Sequence, residues 1–231
     1  MNSKCHEETT VEDAREFARE IMSKNDPSHD FYHVERVHNT AMQIASNESD
    51  PDKIDLLVLQ LSAYFHDFFD LKYEKGHDGS LKEKLEHFYD AHGVSQERRQ
   101  KISFIIRNLS FRKELSNAID LDKVSLEFKI VRDSDRLDAI GAVGIARCFG
   151  YSCIINRPFY IKNAKYNPNM TADQYNAQTK ENTSIAFNHF YEKLLLLKDR
   201  MLTTSGREMA EKRHNFMVEY LKNLEEEINL L

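Results

Sequence analysis

Apolar residues recur every three to four positions along most of the chain, a spacing that is typical of amphipathic α-helices. The third helical segment is apolar on nearly all sides, so it is expected at the centre of the core. The segment that begins at Ser125 is expected to bend near Gly141 or Gly144. The pattern as a whole predicts helices over about residues 10–24, 30–47, 50–65, 80–92, 96–108, 125–150, 179–201 and 206–230.

Capping signals indicate where several of these helices begin and end. Thr10 and Ser80 each precede an acidic residue by three positions, which is typical of a capping box. Asp50-Pro51 is a typical start, with Asp as the N-cap and Pro in the first turn. Gly93 is expected to end the helix that Ser80 begins.

Residues 151–178 interrupt the helical pattern with prolines, asparagines and tyrosines, and they predict an ordered loop or lid because the aromatic rings favour burial. We find no repeat and no domain boundary. The chain is therefore predicted to be one all-α domain over residues 1–231. Its parts are expected to be a core over about 10–150, the lid over 151–178 and C-terminal helices over 179–230.

Composition narrows the class of protein further. The 231 residues include only 7 Gly and 4 Pro, which disfavours a turn-rich all-β fold. With 32 basic and 38 acidic side chains the net charge is −6, so general nucleic-acid binding is not expected. The sequence has no apolar run long enough to span a membrane, no signal-peptide pattern and three cysteines without metal-site spacing. These features predict a cytoplasmic protein with reduced thiols; the oligomeric state stays open, with a homodimer as one option.

Candidate chemistry lies in three segments. His66-Asp67 ends the most apolar helix, where an unpaired carboxylate would be costly unless it is neutralised or coordinated. His33 lies beside the apolar stripe of the second helix. Asp133 and Asp135 each share a helical face with apolar residues, so spacing alone does not choose between them.

In this order, His29-Asp-Phe-Tyr-His33-Val-Glu-Arg36, His66-Asp67 and Asp133-Ser-Asp135-Arg-Leu-Asp138 resemble the H…HD…D signature of the HD-domain superfamily of metal-dependent phosphohydrolases. The chain is most similar to the small stand-alone HD-domain proteins of bacteria and fungi, over about residues 10–225. The resemblance implies an all-helical bundle. Its implied metal ligands are His33, His66, Asp67 and Asp135, and Asp135 is chosen because the family's last ligand precedes Arg-Leu. The roles of Asp133 and Asp138 stay open.

The same resemblance implies hydrolysis of a phosphate ester or anhydride in a nucleotide or a similar small phosphorylated metabolite. Mixed imidazole and carboxylate ligation suits one divalent ion, which is Mn²⁺, Fe²⁺, Co²⁺, Ni²⁺ or Zn²⁺. A second ion is not expected, because residues 104–109 lack the histidine that related proteins often have there. Asp67 is expected to orient the attacking water and Asp70 to act as acid or base. Arg36 is the best candidate to grip a phosphate, and Lys72 is a second.

The sequence is compatible with two other interpretations. One is a catalytically silent HD fold that serves as a metabolite-binding or interaction module. The other is a ferritin-like di-iron bundle, but the glutamates of its first and third motifs are expected to face water. Its Glu-x-x-His motifs would be Glu35/His38, Glu74/His77 and Glu211/His214. Candidate aromatic residues for stacking on a base are Tyr151, Phe159, Tyr160 and Tyr166, although core packing is the default for such rings.

Overall fold

The computed structural model describes residues 3–69, 80–116, 119–181 and 183–229. In these residues the chain forms helices and no strand, in one all-α bundle, as the sequence predicts. Two short 3₁₀ segments, Pro51–Lys53 and Leu194–Arg200, connect the longer elements. The α-helices are α1 (Ser3–Met22), α2 (Phe31–Ser46), α3 (Leu56–Phe65), α4 (Ser80–Ala91), α5 (Gln96–Asn108), α6 (Phe111–Leu115), α7 (Leu126–Asp138), α8 (Gly141–Ile154), α9 (Ala172–Glu181), α10 (Ala186–Glu192) and α11 (Thr204–Asn229).

Helix α3 lies at the centre of the core, as its apolar sequence predicts. All of its residues except Leu56 and Gln60 are buried. It packs against α1, α2, α5 and α7, and α2 in turn packs along α7. Because each of α2, α3 and α7 carries part of the predicted metal site, this packing brings the three segments of the HD signature to one place.

The predicted bend in the segment after Ser125 is confirmed. Helices α7 and α8 meet at 67°, and Gly141 begins α8 with a φ of +77°, a conformation that favours glycine. A Cβ atom on Gly144 would lie 2.3 Å from the Ala139 carbonyl oxygen, so glycine also permits the close approach after the bend. In the described part of the chain no single helix is long and apolar enough to cross a membrane; α7 and α8 reach that limit only as a pair, across the bend.

Two predicted helix starts are wrong. Helix α1 already begins at Ser3, and Thr10 lies inside it with its hydroxyl donating to the His6 carbonyl, which is 2.9 Å away. Helix α3 begins at Leu56 rather than near Asp50, because Asp55 is the N-cap and accepts from the Val58 N–H. Asp50 instead binds Lys53 at 2.7 Å.

The C-terminal half also differs from the prediction. The segment 151–178 is not entirely a loop, because it contains the end of α8 and the start of α9. The helix predicted over 179–201 is interrupted, since the described residues form the end of α9, then α10, then a 3₁₀ segment. Lys193 causes the second interruption with φ −143° and ψ −58°, which are not helical angles. The sequence analysis did not predict the short helix α6.

Candidate metal centre and its cavity

The predicted ligands meet at the crossing of α2, the end of α3 and α7. One donor atom from each of His33, His66 and Asp135 lies within 4.8 Å of the others, as a metal-binding group requires. Nε2 of His33 is 3.1 Å from Nε2 of His66 and 3.6 Å from Oδ1 of Asp135. Asp67 contributes oxygens 3.3 Å from Nε2 of His33 and 3.4 Å from Nε2 of His66. We call these four residues the metal cluster.

The hydrogen bonds of the two imidazoles indicate that their Nε2 atoms are electron-pair donors. Nδ1 of His66 is 2.8 Å from the Ala63 carbonyl oxygen, and Nδ1 of His33 is 2.7 Å from Oδ2 of Asp138. Since both partners only accept, each neutral ring carries its proton on Nδ1. The two Nε2 lone pairs then face each other at 3.1 Å, which is repulsive unless a metal ion or a proton lies between them.

Asp67 also fits a cation. Its Oδ2 atom is buried and has no hydrogen-bond partner in the described part of the chain. Burial by itself would raise the pKa of Asp67, but its interactions with the neighbouring His66 and His33 side chains hold this pKa well below its usual range. An ionised, largely buried carboxylate with one oxygen that has no hydrogen-bond partner is a suitable metal ligand, so the residues present fit a divalent ion.

Asp138 fixes the orientation of His33. Besides accepting from His33 Nδ1, it accepts from Arg36 through Nε at 2.7 Å and Nη2 at 3.0 Å, and from Arg147 Nη1 at 2.9 Å. Burial opposes ionisation, but the hydrogen bonds from His33 and Arg36 outweigh it and hold the pKa of Asp138 well below its usual range. Asp138 therefore acts on the metal cluster through His33, a role that the sequence left open.

Replacing Asp138 with asparagine is expected to weaken metal binding by about 10–100-fold, because the carboxylate that orients a ligating imidazole makes it a better donor. Isothermal titration of metal-free protein with Mn²⁺ measures this change. Asp122→Asn, at an exposed position, is the matched control and should bind as the wild type does. Equal Mn²⁺ affinity in the two variants would mean that Asp138 does not support the metal cluster.

Asp133 has a different, structural position. Its side chain is completely buried, and Oδ2 accepts from the Thr203 N–H at 2.7 Å, the Thr203 hydroxyl at 2.8 Å and the Leu202 N–H at 2.9 Å. Arg132 donates to Oδ1 at 3.0 Å. A Cβ atom on Gly206 would lie 2.6 Å from Oδ2 of Asp133, so glycine lets the start of α11 approach this carboxylate. Asp133 thus joins α7 to α11 and is not part of the metal cluster.

A cavity of about 820 Å³ opens beside the metal cluster. Three residues of the cluster, His66, Asp67 and Asp135, line this cavity. Of the described residues that line it, six are Lys or Arg and only Asp67 and Asp135 are acidic. The six basic residues are Arg107, Lys113, Arg136, Arg147, Arg157 and Lys193. A volume of this size accommodates a small organic ligand, and the excess of positive charge favours an anionic one.

Helix α6 brings one wall of this cavity against α7. Glu114 accepts from Arg132 Nη2 at 2.6 Å, from Arg136 and from Arg200 Nη1 at 2.9 Å. Burial opposes its ionisation, but the charges of Arg136 and Arg132 lower the pKa of Glu114 to about 2. Phe111 of the same helix lines the cavity, so Glu114 fixes this wall to the helix that carries Asp135.

The predicted substrate-binding and acid–base residues have different outcomes. Arg36 donates to Asp138, so its role as a phosphate ligand stays a prediction. Asp70 and Lys72 lie outside the described residues. Tyr151 lines the cavity, as do Phe111 and Tyr175, which the sequence analysis missed because their positions depend on α6 and α9.

The di-iron alternative is not supported where it can be compared. Glu35 pairs with Arg15, and His38 contacts Gln60. Glu211 pairs with Lys198 on the surface. The motif that contains Glu74 lies outside the described residues.

The chain is similar to YpgQ of Bacillus subtilis over nearly its whole length. The two are 34% identical over 221 residues, which are 94% of this chain and 93% of YpgQ. No protein-family model matches the sequence.

Solved structures share the fold. A protein of Lactobacillus plantarum has a TM-score of 0.82 at 29% identity, covering 97% of this chain and 99% of its own. An HD-superfamily hydrolase from Bacillus thuringiensis has a TM-score of 0.70 at 29% identity, covering 97% and 100%. YpgQ in complex with ADP has a TM-score of 0.70 at 28% identity, covering 96% of each chain.

Proposed function

This chain belongs to the HD superfamily, and from that membership we propose that it is a metal-dependent phosphohydrolase that acts on a nucleotide or a similar small phosphorylated metabolite. The observation that carries the proposal is the 3.1 Å approach of the His33 and His66 Nε2 atoms beside Asp67 and Asp135. The ADP bound to YpgQ supports a nucleotide as the ligand. The basic cavity supports an anionic substrate.

The metal cluster would hold one divalent ion, which is Mn²⁺, Fe²⁺, Co²⁺, Ni²⁺ or Zn²⁺ by the chemistry of its donors. Such an ion supplies Lewis-acid polarisation of a phosphoryl group and makes water easier to deprotonate. His33 and His66 contribute neutral nitrogen donors, while Asp67 and Asp135 contribute the negative charge that favours a divalent cation. Asp135 is partly exposed, so the substrate would approach from its side of the cluster.

The other predicted site residues would bind the substrate phosphate and orient the attacking water. Asp67 would orient the attacking water, a role that its Oδ2 atom supports because it has no hydrogen-bond partner among the described residues. Asp70 would exchange the proton of that water, and Lys72 would contact a phosphate. Arg36 is the other predicted phosphate ligand, although its contacts to Asp138 give it a second role in holding α2 against α7.

The proposal predicts hydrolysis that stops when metal is removed. Wild-type protein with Mn²⁺ is expected to release orthophosphate or pyrophosphate from members of a panel of nucleoside mono-, di- and triphosphates. Excess EDTA should reduce release to the uncatalysed rate, and Mn²⁺ should restore it, because the cluster without an ion lacks the Lewis acid. Ion chromatography of the products measures both anions and identifies the bond that is cleaved.

The same panel distinguishes the silent binding module. Such a module would bind one of these nucleotides in a calorimetric titration and release neither anion under any metal condition. That result would reject the hydrolase proposal and leave the binding function.

A further inference from the structure

The cavity wall away from the metal cluster carries polar groups that lack partners. Nε of Arg157 and the hydroxyl oxygen of Ser184 are buried, and neither has a hydrogen-bond partner among the described residues. Both residues line the cavity, and Ser184 is only 4% exposed. Leaving a buried polar group unpaired costs about 1–3 kcal/mol. Two such groups on residues that line one cavity therefore indicate a ligand that supplies the missing acceptors.

Main-chain contacts bring Arg157 and Ser184 together. The Ala186 N–H donates to the Pro158 carbonyl at 3.0 Å, so the segments that follow Ser184 and Arg157 lie side by side. The thiol of Cys148, which also lines the cavity, is 3.8 Å from the Ala186 carbonyl oxygen. Arg157, Ser184 and Cys148 thus belong to one part of the wall.

Lys193 lines the same cavity as Arg157 and Ser184. It directly follows α10, the short helix that begins two residues after Ser184. Nζ of Lys193 is 5.3 Å from the Phe111 ring and lines the cavity with it. In the described part of the chain neither Arg157 nor Lys193 forms an ion pair with a carboxylate.

This part of the wall adjoins the metal cluster through two aromatic side chains. The ring of His33 is 5.8 Å from that of His29, which is 5.9 Å from that of Tyr151. The Arg157 guanidinium lies 5.9 Å from the Tyr151 ring. Arg157 is thus linked to the cluster through Tyr151 and His29 and is not itself one of the four residues that would surround the ion.

We propose that Arg157, Ser184 and Lys193 form a second phosphate-binding site, which holds a substrate phosphate other than the one that is attacked. The guanidinium offers a planar pair of donors, Lys193 a point charge and Ser184 a hydroxyl donor, a combination that matches the oxygens of a phosphate. The assignment of this phosphate to a substrate rests on the proposed function. The binding site itself is independent of metal.

Calorimetric titration of metal-free protein in EDTA with inorganic tripolyphosphate tests the site. Arg157→Gln and Lys193→Gln should each weaken binding by about 10-fold or more, since each removes a charge-assisted contact. Ser184→Ala should have a smaller effect in the same direction. Lys162→Gln, an exposed lysine that does not line the cavity, is the matched control and should bind as the wild type does.

Arg157→Lys separates the charge from the shape of the side chain. It should recover part of the tripolyphosphate affinity lost in Arg157→Gln. A purely structural role of the guanidinium would instead lower the melting temperature of both variants equally. Absence of tripolyphosphate binding in the wild type, or unchanged affinity in Arg157→Gln and Lys193→Gln, would overturn the proposal.

The result is distinguishable from a failure of the proposed function. Tripolyphosphate binding that depends on Arg157 and Lys193, without hydrolysis of any nucleotide, would keep the phosphate site and reject the hydrolase. Hydrolysis by a protein whose Arg157 and Lys193 variants show unchanged KM and unchanged tripolyphosphate affinity would keep the hydrolase and reject the site.

Discussion

Asp67→Asn is expected to lose both metal binding and hydrolysis. The asparagine keeps the volume but removes the negative charge that the buried cluster contributes, and its amide NH₂ does not replace the carboxylate as a ligand. We expect kcat/KM to fall by roughly 10²–10⁴-fold, the range for a positioned group that handles the reacting proton or water. Initial rates with Mn²⁺, together with the metal content after dialysis, measure the two losses.

The control for this variant is Asp122→Asn, which makes the same chemical change at an exposed position. It should retain wild-type rates and metal content. Asp67→Asn with normal metal content and normal rate would exclude Asp67 from the metal cluster. Normal metal content with a lost rate would assign it to water orientation alone.

Asp133→Ala is expected to destabilise the protein by about 3–5 kcal/mol, the cost of removing one partner of a buried charge pair. The substitution leaves Arg132, which is 2% exposed, without this anion. It also leaves the N–H groups of Leu202 and Thr203 without their acceptor at the start of α11. Urea unfolding followed by circular dichroism at 222 nm, which reports helix content, measures the change in the free energy of unfolding.

Asp135→Ala provides the contrast on the same helix. In metal-free protein, removing this carboxylate should leave the free energy of unfolding almost unchanged or even raise it. The reason is that Asp135 lies beside Asp67, and no bound ion then compensates the two acidic groups. A loss below about 1 kcal/mol in Asp133→Ala, or an equal loss in both variants, would show that Asp133 does not anchor α11.

The sequence predicted the fold correctly where the apolar pattern of a segment agrees with the way that segment packs in the structure. The apolar surround of α3 predicted its central position, and the glycines after Asp138 predicted the bend between α7 and α8. The start of α3 was not predicted correctly, because two aspartates compete as caps and only tertiary contacts favour Asp55: its carboxylate also accepts from Arg98 of α5 at 2.8 Å. The break at Lys193 has no sequence signal, since the surrounding residues are good helix formers.

The site was predictable from the order of its motifs but not from spacing alone. Asp133 and Asp135 have equivalent apolar neighbours along the helix, and the structure distinguishes them by what they face: the start of α11 and the metal cluster. Asp138 and Ser184 gave no separate signal, because their partners are distant in sequence. Their roles depend on helix crossings that a single sequence does not specify.

The arrangement around Glu114 has a consequence for how ligands reach the protein. Three guanidinium groups share one carboxylate there, so the interior retains positive charge although the whole chain carries −6. Of these groups Arg136 lines the cavity, where its charge adds to that of the other basic lining residues and favours anions. An approaching phosphate compound is therefore attracted toward this cavity, and dissolved salt screens that attraction beyond about 8–10 Å at physiological ionic strength.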